Sequence, residues 1–229
     1  MSTTVAGPHE YRAPGFWQST NGKKAVMAVT GAILFLFIIG HLLGNLQVYE
    51  GPEALNAYGR FLKNTGELLW LVRGGLLIAV GLHILATVQL ALRNQKARPT
   101  GYKVKKAVNS NYADRTMYWS GPIILAFVIF HILEFTAGYI HPQSRFIEGD
   151  VYHNVVAGFQ IWWVSAFYIL ANIALGFHLY HGAWSMFNSV GFNNPKFATW
   201  RRNFATLFAL VISIANISFP IAVLTGIVR

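Results

Sequence analysis

The chain has 229 residues, of which 54% are hydrophobic and 15% aromatic, while only 11% are charged. A soluble globular domain charges about a quarter of its residues, so the composition excludes one and marks an integral membrane protein. The net charge of +10 fits basic residues beside membrane spans, where they set orientation, and gives no reason to invoke nucleic acid. With no cysteine, disulfides, iron–sulfur ligation, thiolate zinc and covalent C-x-x-C-H haem attachment are ruled out. Metal chemistry is left to histidine and carboxylate.

Residues 1–22 are rich in Pro, Gly and Ser and lack an apolar run, so they read as a cytoplasmic tail, with Phe16 and Trp17 at headgroup level. Residues 23–229 form the membrane domain, with five predicted spans at about 25–48, 67–92, 117–140, 155–187 and 204–228. Each is long enough to cross a hydrocarbon core of about 30 Å at about 1.5 Å per residue. The first is too long for a signal-peptide core and shows no cleavage site, so it is expected to stay in the mature protein. Between the first two spans EALNAYGRFL reads as a short helix at the surface, and Arg73 lies near enough to one end of the second span to snorkel. A loop with seven Lys or Arg, RNQKARPTGYKVKKAVNSNYADR, leads to the third span. A short polar loop, His141 to Asp150, leads to the fourth, which is unusually long. Placing the N-terminus in the cytoplasm puts 13 of the 18 Lys and Arg on that side, so the positive-inside rule predicts N-terminus in and C-terminus out.

Four spans each carry a histidine at depth: His41 in LFIIGHLLGNL, His83 in AVGLHILATVQL, His131 in FVIFHILEF and His178 in ALGFHLYHGAW. An ionisable side chain at that depth is a functional-site hypothesis that needs a partner. Measured from the cytoplasmic helix ends, His41 and His131 sit at ~21–26 Å and His83 and His178 at ~14–15 Å. Two levels emerge with two histidines each, which is what two non-covalent haems b require: one imidazole from each of two helices. A weak internal echo accompanies them. Gly31 precedes His41 by ten residues and Gly121 precedes His131 by ten, pointing either to clearance for a porphyrin or to helix contacts through small residues.

For any single histidine an interhelical hydrogen bond competes with ligation. It is their agreement in depth that favours haem. His181 competes with His178 for the fourth position but lies lower, at ~10 Å. His9, His141 and His153 fall in tails or loops and read as solvated. Glu134, one turn beyond His131, is the candidate proton relay, against a local pairing or snorkelling role. Arg73 is either a partner for a haem propionate or an interfacial anchor, and the tryptophans and tyrosines near span ends read as interfacial belts.

With these motifs laid out, the chain resembles the five-helix, two-haem cytochrome b anchor of bacterial succinate:quinone oxidoreductase or fumarate reductase. The resemblance runs from about Lys23 to the C-terminus and rests on TG-x8-GH, the lone histidine of the second span followed by a basic loop, H-x-x-E, and FHLYHGAWSMFNSVGF. In that family the ligand stands four residues before the glycine of G-x-W, which here is His178 ahead of Gly182 and Trp184. The resemblance implies an all-α bundle of five transmembrane helices in the cytoplasmic membrane, with His83 and His178 holding an inner haem b and His41 and His131 an outer one. It further implies a flavoprotein with FAD and an iron–sulfur protein docked on the cytoplasmic face, and electron delivery to a quinone, menaquinone in preference to ubiquinone. A higher oligomer of the whole complex is a further expectation. The family's propionate and quinone partners find no match; Gln18 to Thr20 lie too far before His41. Competing readings are a haem b subunit of a hydrogenase or formate dehydrogenase, and a transporter that uses buried histidines for protons or metal.

Overall fold

The computed structural model describes residues 15–97, 112–140, 146–189, 191–192 and 194–229. The start of the tail, the basic loop from residue 98 to 111 and residues 141–145 of the polar loop therefore lie outside the described residues, His9 and His141 among them. All regular structure among the described residues is helical. The elements are α1 (Thr20–Asn45), α2 (Pro52–Asn64), α3 (Glu67–Lys96), α4 (Tyr112–His131), α5 (Val151–Phe159), α6 (Trp162–Ser189) and α7 (Ala198–Leu224). Five stretches are long and apolar enough to cross a membrane: Thr20–Glu50, Glu67–Lys96, Thr116–Thr136, Trp162–Ser189 and Pro195–Leu224. Their outward faces carry bare apolar side chains, with Leu36 72% and Leu71 73% exposed, the inverse of a soluble helix and suited to lipid.

Local chemistry explains the helix ends. Ser19 caps α1 by accepting the Gly22 N–H at 2.8 Å, and Pro52 opens α2 at a position whose N–H needs no partner. Gly66, at φ +59°, reverses the chain from α2 into α3 with a backbone that a side chain would strain. Asp150 caps α5, accepting the His153 N–H at 3.0 Å.

Two departures from the predicted spans matter for the site. The third span stops being α-helical at His131 and passes into a π-helical turn, Ile132–Thr136. The long fourth span is broken at Gln160 and Ile161, so that α5 is a separate nine-residue helix. The break turns α5 so that Gly158 lies against the third span: a β-carbon there would sit 2.8 Å from Phe135 Cε1 and 3.2 Å from Glu134 Oε1.

Packing is uneven around the bundle. Helix α6 lies most extensively against α7 and α4, and α1 lies against α3. Extensive approach between α1 and α4, or between α3 and α6, is not found among the described residues. Helices α2 and α5 close one end of the bundle as a cap, knit by Asn56, which donates to Asp150 Oδ1 at 2.9 Å and accepts the Tyr152 N–H at 3.0 Å. The exposed pair Lys63–Glu148, at 2.9 Å, belongs to the same cap. The opposite end carries Lys23, Lys24, Arg93, Lys96, Lys196, Arg201 and Arg202 among the described residues. The bundle thus has a capped end and a basic end.

Candidate functional site

The structure brings the four span histidines together as two pairs. The rings of His41 on α1 and His131 on α4 stand 5.7 Å apart, centre to centre, at 88° to one another. Those of His83 on α3 and His178 on α6 stand 6.4 Å apart at 59°. Each pair joins two helices that do not pack extensively on one another among the described residues, α1 with α4 and α3 with α6, although α1 itself lies against α6. All four are half-buried.

Near the basic end, His83 Nδ1 lies 3.1 Å from Thr30 Oγ1. The Thr30 hydroxyl has one hydrogen, which the Val26 carbonyl takes at 2.7 Å. With the hydroxyl donating there, its oxygen accepts from His83 Nδ1–H, the tautomer that leaves the Nε2 lone pair free. Gly31 lies beside the same ring: a β-carbon there would stand 3.6 Å from His83 Cε1, an ordinary contact, whereas anything longer would meet the imidazole. Across the gap, His178 Nδ1 is buried with no hydrogen-bond partner.

Near the capped end the histidine is built in more firmly. His131 Nδ1 lies 3.2 Å from Tyr168 Oη, and Tyr168 donates to Glu134 Oε2 at 2.8 Å. By the same count of hydrogens, Tyr168 accepts from His131, which again leaves Nε2 as the free lone pair. Glu134 is fully buried and Tyr168 is 4% exposed. Aromatic rings surround the chain: Phe127 and Phe135 each lie 5.8 Å from His131, and Phe159 lies 4.9 Å from Tyr168. The second carboxylate oxygen, Oε1, has no hydrogen-bond partner.

Other singled-out residues take simpler places. The Arg73 guanidinium lies over the Trp70 ring at 5.2 Å on the exposed face of α3, in the manner of an interfacial anchor. Ser19 serves as a helix cap, and Thr20 Oγ1 accepts from Arg93 at 3.3 Å. His153, expected to be solvated, sits in the first turn of α5 with Nε2 buried and without a hydrogen-bond partner. The echo between Gly31 and Gly121 does not extend to their surroundings: Gly31 faces His83, whereas a β-carbon at Gly121 would meet nothing within 4 Å.

Tyr168 and Thr30 escape the sequence reading. Both have the Nδ1 of a span histidine within hydrogen-bond reach, but neither neighbours its histidine in sequence, so only the folded chain links them. A hint exists for Tyr168: it stands ten residues before His178 in an apolar run, too deep for an interfacial belt.

Two imidazoles facing one another from different helices are the donor set that a bis-histidine haem needs. At about 2 Å per metal–imidazole bond, two rings on opposite sides of one metal have centres about 6 Å apart, close to both separations found. The partnerless buried Nδ1 of His178 fits a group seated between the helices. No cluster of three or more His, Cys, Asp or Glu able to hold a bare metal ion occurs among the described residues, a separate matter from ligation by two imidazoles. No family model matches the chain, and no curated protein or solved structure matches it. What stands is the class: an all-helical bundle of five potential membrane spans with two histidine pairs inside it.

Proposed function

We propose that this chain is the cytochrome b membrane anchor of a succinate:quinone oxidoreductase, binding one haem b between His83 and His178 and another between His41 and His131. The observation that carries the reading is the geometry of the two pairs, each joining helices that otherwise stay apart, at two places along one bundle. When bound, haem b supplies reversible one-electron chemistry, so two of them at different heights suit transfer between the two ends of the membrane domain.

The protein's own residues do the rest. Thr30 and Tyr168 fix which imidazole nitrogen is free on His83 and His131. The apolar spans exclude water and lower the local dielectric, which is one of the levers on potential. The basic end offers Lys24, Arg93, Lys196 and Arg202 to partner subunits, here a flavoprotein with FAD and an iron–sulfur protein on the cytoplasmic side. The acceptor is a quinone in the bilayer, menaquinone in preference to ubiquinone. Glu134 is the one acidic side chain buried in a span among the described residues. The scarcity of other buried acids, with the pairing of the histidines, weighs against a proton or metal transporter.

A pyridine haemochrome assay on the isolated complex tests the reading directly. Two haems b per copy of this chain are expected, together with co-purifying flavin and iron–sulfur subunits that oxidise succinate. Fewer than two haems sinks it. Two haems with hydrogenase or formate dehydrogenase partners would keep the cofactors and change the enzyme.

A further inference from the structure

We propose that Tyr168 and Glu134 are positioning residues for His131, and that they make the His41–His131 site the more electron-rich of the two. The inference rests on the haem reading above and adds to it a difference between the sites. The relay runs in one direction, from His131 Nδ1–H to the Tyr168 oxygen and from Tyr168 O–H to Glu134 Oε2, at 3.2 and 2.8 Å. An imidazole that donates toward a carboxyl group is oriented, held in one tautomer and made a stronger electron donor at its other nitrogen. Such a ligand favours the oxidised metal and lowers its reduction potential.

The surroundings keep the chain in place. Tyr168 from α6 and Gly158 from α5 both lie against Glu134, while His41 from α1 faces the His131 ring. Glu134 is fully buried and Tyr168 almost so, so water does not compete for either bond. The π-helical turn starting at Ile132 departs from α-helical spacing just where Glu134 must meet Tyr168, and such turns gather at functional sites. At the other pair the corresponding chain is short and contains no carboxyl group. His83 Nδ1 reaches the Thr30 hydroxyl, which ends on a backbone carbonyl.

The test is a redox titration of the complex, following the two b-type absorbance components, with each component assigned by its loss in a His41→Ala or a His83→Ala complex. Tyr168→Phe removes the acceptor from His131, and Glu134→Leu releases Tyr168 to turn its proton elsewhere. Each is expected to shift the outer couple's equilibrium constant toward the reduced form by on the order of tenfold, about 59 mV for one electron, with the inner couple unmoved. Glu134→Gln retains an acceptor oxygen for Tyr168 and should restore most of the shift. If Tyr168→Phe and Glu134→Leu complexes lose the outer haem while Glu134→Gln keeps it, the positioning role also stands. Two bound haems with both potentials unchanged in Tyr168→Phe or in Glu134→Leu overturn the proposal and leave the haem reading intact. Loss of the outer haem in Glu134→Gln as well would make the role one of bulk packing and overturn it too. Fewer than two haems in the unmodified complex would instead remove the reading on which it rests.

Discussion

The two histidine pairs are alike in separation and unlike in everything that holds them. Near the capped end, His131 is followed directly by a π-helical turn, walled by Phe127 and Phe135, and tied through Tyr168 to a fully buried carboxyl. Near the basic end, His83 leans on Thr30, on the Met27 backbone and on the absence of a side chain at Gly31, and the Nδ1 of its partner His178 has no hydrogen bond. Both pairs therefore offer the same donor atoms in different electrostatic settings. Equal ligands with unequal second partners are a physical means of giving two identical cofactors different potentials.

The difference is best broken by removing ligands first. On the proposed haem reading, His131→Ala should cost the complex one haem and leave the other component's spectrum intact, and His178→Ala should do the reverse, as read by haemochrome stoichiometry. Loss of both from either change would mean that the pairs fold as one unit. A smaller but more pointed effect is expected at the glycines. Gly31→Leu should push on the His83 ring and displace the basic-end haem, because even a β-carbon there already touches the ring at 3.6 Å. Gly121→Leu, at a position with nothing within 4 Å, should leave both haems in place despite its matching place in the sequence. Smaller again is Thr30→Val, which keeps the shape and removes the acceptor for His83. Interhelical hydrogen bonds in membranes are worth about 1 kcal/mol, so a modest destabilisation in a thermal melt is expected. The accompanying shift in the basic-end potential should be smaller than that of Tyr168→Phe at the other pair.

Much of this arrangement was legible because helix rise converts sequence position into depth. His41, His83, His131 and His178 could be sorted into two levels from the span ends alone, and the rings that meet in space are those sorted together. Periodicity is blind, however, to where a helix ends without a polar break. The fourth span reads as one run because the residues around Gln160 and Ile161 are apolar on both sides; tertiary contact between Gly158 and Phe135 accompanies the turn there. Charge patterning marked Glu134 as out of place in a span but gave no partner for it. Tyr168 lies 34 residues away, and a tyrosine in an aromatic-rich helix has no pattern that distinguishes a hydrogen-bonding role from packing. The repeat of glycine ten residues before histidine was real in sequence and uneven in space. Position along a helix fixes depth, while rotation about its axis decides which neighbour a residue faces.

The weakest expected effect lies outside the spans and bears on only one of the pairs. The His153 N–H first, and then the Asn56 amide, hold the Asp150 carboxyl below its usual range. A carboxylate whose folded value is depressed stabilises the fold above its unfolded value and loses that contribution as pH falls through the lower folded one. Asp150→Ala should therefore destabilise the cap by about 1 kcal/mol near neutral pH, the usual worth of an N-cap. The gap between wild type and variant should narrow as pH falls through that lowered value, without closing, because a protonated carboxyl keeps an acceptor oxygen for the cap. Asp150→Asn, which can still cap α5, should show a smaller loss with little pH dependence. Because α5 carries Gly158 against Glu134 and Phe135, any loosening should reach the His41–His131 site before the other. On the proposed haem reading, melting curves that follow the two absorbances separately would read this as earlier loss of the capped-end component in Asp150→Ala at neutral pH. Simultaneous loss of both would show that the cap supports the bundle as a whole and has no particular hold on the site beneath it.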